Sequence, residues 1–96
     1  MSANVFKYSF IHGVLSKETR VVLVKGSKEN TNYLSKLGYR DISAGNLYSN
    51  YFYVLLDTRW WLNQSAGDDF LSSKKIPEDK AITFEELKKI ISRINY

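Results

Sequence analysis

The sequence predicts an α+β fold: a small antiparallel sheet of about four strands with two helices, in the order ββαββα. Three observations carry this. Two strand-like stretches lie near the N-terminus, a second pair flanks Asp57-Thr58, and two segments carry helix start or stop signals. At 96 residues with 44% hydrophobic and 25% charged side chains, residues 1–96 read as a single domain with a thin core.

From Asn4 to Ile11, NVFKYSFI places Phe6, Tyr8 and Phe10 on one side, as a strand with one buried face requires. Residues 13–19 turn the chain. Arg20 to Lys25, RVVLVK, is β-branched, and its four consecutive apolar residues suit a central strand covered on both faces. Ser27 can cap a short helix in which Tyr33, Leu34 and Leu37 share a face. Gly38 stands where a left-handed terminal residue is wanted, and Tyr39 can fold back onto Leu34.

After a loop at residues 43–46, strands are expected at about Tyr48–Leu56 and Arg59–Asn63. Phe52, Val54 and Leu56 would face one way; Tyr51, Tyr53 and Leu55 the other. Residues 65–80 hold Gly67-Asp68-Asp69, two serine and two lysine residues in a row, and the one proline. They read as a long polar connection anchored by Phe70-Leu71 and Ile76. In the last helix Thr83 and Glu86 form a capping box, with Ile82 and Leu87 as its hydrophobic staple. Phe84, Leu87, Ile90, Ile91 and Ile94 line its apolar stripe.

No cysteine is present, which removes disulfides and thiolate metal sites and fits a cytoplasmic location. No N-terminal run has signal-peptide form, and no stretch reaches the roughly 18–20 apolar residues of a membrane helix. The net charge of +4 permits an acidic partner, yet no basic run exceeds two residues, fewer than a nucleic-acid arm carries.

Enzyme chemistry finds little support. His12 stands alone, and Asp57, Glu78 and Asp79 form no constellation with it. The adjacent Asp68-Asp69 pair lacks the alternating oxygen ligands of a calcium loop, so neither metal nor cofactor is expected. Glycine-rich phosphate loops and nucleophile elbows are missing.

The segment Asn46–Asn63 is different in kind, with six aromatic residues in eighteen positions. A hairpin in so small a domain is expected to leave ring surface for a partner. Tyr51, Tyr53, Trp60 and Trp61, with Arg40 and Arg59, are therefore the candidate partner-binding residues. Tyr, Trp and Arg dominate protein-interface hot spots. The same rings and cations would also suit stacking on single-stranded nucleic acid or a nucleotide. Trp60 and Trp61 point to opposite faces of a strand, so one belongs in the core. Self-association through the hairpin stays open.

LSKLGYRDISAGNLYSNYFYVLL, followed after a variable loop by KAITFEELKKII, resembles small accessory proteins encoded by bacteriophages. The resemblance covers about two-thirds of the chain and implies no shared catalytic residues. It implies a host-cell cytoplasmic protein that blocks a host protein or defence complex by direct binding.

Overall fold

The strand at Glu18–Lys25 (β2) is the element on which the others assemble. The computed structural model describes residues 4–9, 18–43 and 50–94. Along one edge β2 pairs antiparallel with Phe6–Ser9 (β1), in the register Phe6 opposite Val21. Its other edge pairs antiparallel with Tyr51–Leu55 (β4), which in turn pairs antiparallel with Trp60–Asn63 (β5). Two short parallel strands complete the sheet. Arg40–Asp41 (β3) runs beside β5, and Ile82–Thr83 (β6) beside Val24-Lys25.

The sheet is therefore mixed and six-stranded, where four antiparallel strands were expected. The two additions are dipeptides, too short to show a period in the sequence. The third helix is a larger departure. Gln64–Leu71 (α2) and two single 3-10 turns, Ser72–Lys74 and Glu78–Lys80, occupy the segment expected to be a loop. The Asn63 side chain starts α2 by accepting the Ala66 N–H at 2.8 Å. α2 lies on the sheet face opposite Lys28–Lys36 (α1) and Phe84–Arg93 (α3), so helices cover both faces rather than one.

Alternation along the strands divides the core. On face A, Val22, Val24, Phe52, Val54, Leu56 and Trp61 pack with Leu34, Tyr39, Ile82 and Leu87. On face B, Val21, Leu23, Tyr53, Leu55 and Leu62 pack with Leu71 and Ile76. Val21 to Val24 are all fully buried, as a central strand demands. Phe6 and Tyr8 are half-buried on face B, while Phe10 lies outside the described residues.

Local signals account for α1 and α3. Asn30 Oδ1 accepts the Ser27 N–H at 2.6 Å, closing the first turn of α1. At its other end Gly38 takes φ +91°. Tyr39 N–H then donates to Leu34 O at 3.0 Å and Gly38 N–H to Ser35 O at 3.1 Å, a Schellman stop that drops Tyr39 into the core. Leu37 does not join Tyr33 and Leu34; it follows the last helical turn and is 39% exposed. In α3 the box between Thr83 and Glu86 is closed in both directions, at 3.0 and 3.1 Å. Ile82 and Leu87 are both buried beneath it. Among the described residues no helix is long and apolar enough to cross a membrane.

Candidate functional site

The register of the hairpin decides which rings reach solvent. Trp60 stands opposite Leu55 on β4 and, on its other side, opposite Arg40 of the edge strand β3. With Val21 and Phe6 these make one cross-strand row on face B, running Phe6, Val21, Leu55, Trp60, Arg40. Val21 and Leu55 in its middle are buried, Phe6 and Trp60 are half-buried, and Arg40 at its end is exposed.

Arg59 precedes Trp60 and closes the turn from β4, its N–H donating to Leu55 O at 3.0 Å. Its φ of +61° is a left-handed conformation that side chains other than glycine adopt at some cost. Its carbonyl accepts the Arg40 N–H at 2.8 Å, which joins the turn to the sheet edge. The same turn is tied to β2: Asp57 accepts the Arg20 backbone N–H at 2.7 Å and its guanidinium at 2.6 Å. Arg40, Arg59 and Trp60 are thus neighbours on one rim, and the Arg20–Asp57 pair stands behind them.

The remaining candidates separate from that group. Tyr53 is fully buried on face B and Trp61 is 8% exposed on face A. The expectation that Tyr53 is an exposed partner anchor is corrected accordingly. The physical reason is α2: a loop at residues 65–80 would have left Tyr53 open, whereas a helix covers it. Of the tryptophans, Trp61 belongs to the core, edge-on to Phe52 with ring centres 6.0 Å apart. Tyr51 is half-buried at the far end of β4, opposite Lys25 and four residues from Leu55, about 13 Å along the strand.

Tyr53 anchors a second, unanticipated arrangement. Its hydroxyl donates to Asp68 Oδ1 of α2 at 2.5 Å, with a longer contact to Ile76 O at 3.3 Å, and accepts the Ile76 N–H at 3.1 Å. Burial first, and the Asp68 carboxylate second, hold the phenol well above its usual ionisation range. A neutral hydroxyl is what this geometry needs, because it must donate to Asp68. Tyr8 adds a parallel tie, its hydroxyl donating to Lys74 O at 2.6 Å, and burial raises its pKa also. Two tyrosines from the sheet therefore fasten the segment after α2 to face B.

Around that tie Gln64, Asp68, Lys75, Ile76, Pro77 and Glu78 line a cavity of about 340 Å³. Gln64 Nε2 donates to Glu78 Oε2 across it at 2.7 Å. Sequence reasoning missed these residues as a group. The available signal was Asn63, a good helix N-cap directly after a strand. Among the described residues no three His, Cys, Asp or Glu side chains gather as a metal site would require. His12 lies outside the described residues.

Compared with known proteins, the chain matches no family model, no curated protein and no solved structure.

Proposed function

We propose that the protein is a binding module that occupies an acidic surface of a protein partner through the rim formed by Trp60, Arg40 and Arg59. The observation that supports this reading is the register placing exposed Arg40 directly beside half-buried Trp60, with Arg59 joined to both through the backbone. A tryptophan already packed on one side loses little freedom on docking, and guanidinium groups beside it supply charged hydrogen bonds to carboxylates. The resemblance to phage accessory proteins names the class of partner, a host protein or defence complex.

Affinity capture from a bacterial lysate with the wild-type chain and a Trp60→Ala/Arg40→Glu variant tests the site. A protein retained by the first and lost by the second supports it, provided circular dichroism shows the variant folded. An identical set of retained proteins removes the rim from consideration. The second reading, a single-stranded nucleic-acid or nucleotide binder, rests on the same Trp60 flanked by cations. Titration of a fluorescent single-stranded oligonucleotide separates the two, because phosphate-driven affinity falls steeply with salt.

A further inference from the structure

The cavity lined by Gln64, Asp68 and Glu78 shares no residue with the rim of Trp60, Arg40 and Arg59. We propose that it binds a small organic cation, an alkylammonium with a short apolar body. Its volume of about 340 Å³ stands at the lower end of what ligand pockets enclose.

The lining selects the charge. Asp68 and Glu78 contribute two carboxylates against the one lysine, Lys75, in a chain whose net charge is +4. This is a locally negative recess on a positive protein. The N-terminal end of α2 carries only a partial positive charge of about half a unit, and one of its orphan N–H groups is already taken by Asn63. Set against Lys75, the two carboxylates leave one net negative charge, which still outweighs it. An anion would meet both carboxylates; a cation meets them as partners.

The lining also fixes the acceptors. Asp68 is held by the fully buried Tyr53 hydroxyl through Oδ1, and its carboxylate makes no other hydrogen bond among the described residues. Its second oxygen is therefore available. Glu78 is held through Oε2 by the Gln64 amide nitrogen, which leaves Oε1 of Glu78 as an acceptor. An ammonium has three N–H donors and no acceptor, which complements carboxylates oriented in advance. Ile76 and Pro77 supply an apolar wall for a short alkyl body.

Preorganisation is what distinguishes this recess from a solvated acidic patch. Tyr53 cannot swing away without breaking its bonds to both Asp68 and Ile76. Gly67 presses α2 onto that ring so closely that a side-chain carbon there would meet Tyr53 Cδ2 at 2.0 Å. The aspartate is thus carried on a helix whose distance from the sheet is set by a ring and a glycine.

The test titrates n-butylammonium chloride into the full chain while recording backbone amide resonances. Saturable shifts confined to residues 64–68 and 75–78 are expected, with n-butanol and sodium butyrate producing none at equal concentration. Asp68→Asn keeps an acceptor for Tyr53 and so preserves the tie. It and Glu78→Gln should each weaken butylammonium binding about tenfold or more, as loss of a charged hydrogen bond does. Sodium chloride or calcium chloride reproducing the same shifts, butanol doing so, or both variants binding as tightly as wild type would overturn the proposal.

Discussion

The two faces of this sheet are built by different rules. Face A is closed mainly by packing: Leu34, Tyr39, Ile82 and Leu87 fill the space over Val22, Val24, Phe52 and Val54. The indole N–H of Trp61 is buried there without a hydrogen-bond partner among the described residues. Face B is closed by a helix that is pinned through polar atoms, with Tyr53 reaching through the layer to Asp68 and Ile76. Dispersion and burial tolerate small adjustments on face A, whereas the hydrogen bonds and the Gly67 contact on face B fix one geometry. The difference teaches that face B is where a single atom added or removed acts most directly on local shape, and the cavity lined by Gln64, Asp68 and Glu78 adjoins it.

The largest expected effect breaks that face outright. Tyr53→Ala removes a fully buried ring and leaves Asp68 and the Ile76 N–H without their partner. A loss of about 3–5 kcal/mol is expected from urea unfolding. Stability within about 0.5 kcal/mol of wild type would show that α2 does not depend on the ring. Tyr53 is consequently unsuitable as a probe of partner binding, because its substitution disturbs the fold first.

A sharper cut separates packing from conformation by comparing two glycines. At Gly67 a methyl group would lie within the Tyr53 ring, at 2.0 Å from Cδ2 and 2.6 Å from Cε2. The tethered ring cannot yield, so Gly67→Ala should cost about 1–3 kcal/mol despite alanine's better helix propensity. At Gly38 a methyl group would meet nothing within 4 Å, and only the φ of +91° opposes it. Gly38→Ala should therefore cost about 1 kcal/mol, and it should leave face B unchanged. If both variants shift the amide resonances of α2 equally, the distinction between the faces fails.

The same contrast explains what could be read from the chain. On face A the signals were local. Gly38 two residues past the end of α1, Thr83 three residues before Glu86, and apolar spacing through Phe84, Leu87 and Ile91 each follow from neighbours in sequence. The central strand was legible because four apolar residues in a row need cover on both sides. α2 was not. Its interior holds Gly67 and two aspartates, poor residues for a free helix, and its register is set by a tyrosine fourteen residues upstream of Gly67. That information is tertiary. Missing the helix turned Tyr53 from a core residue into an expected surface anchor, whereas Arg40, Arg59 and Trp60 sit at positions where strand parity and the edge dipeptide bring them together.

A smaller effect checks face A in isolation. Thr83→Ala removes the acceptor for the Glu86 N–H and opens the capping box. Loss of about 1 kcal/mol is expected in denaturant unfolding, with α2 resonances undisturbed. A change at Asp68 or Ile76 in that variant would mean the two faces are coupled through the sheet.

The smallest effect is alkaline, and its sign follows from the tyrosine. The unfolded phenol ionises near pH 10, while burial and the Asp68 carboxylate hold the folded one above that. A raised folded pKa means the folded state keeps its proton after the unfolded state has released it. The associated stability is complete below about pH 10 and is lost as pH rises beyond it, at no more than about 1.4 kcal/mol per pH unit per proton. Tyr8, also shifted upward by burial, adds a contribution of the same sign. Subtracting a Tyr53→Phe variant isolates Tyr53, since Tyr8 is common to both. The stability gap between wild type and Tyr53→Phe should be constant below about pH 10 and should narrow above it. Between about pH 10 and 10.5 the narrowing amounts to less than about 0.7 kcal/mol. A gap that stays flat or widens there would mean that the phenol meets water in the folded state, and that α2 does not seal face B.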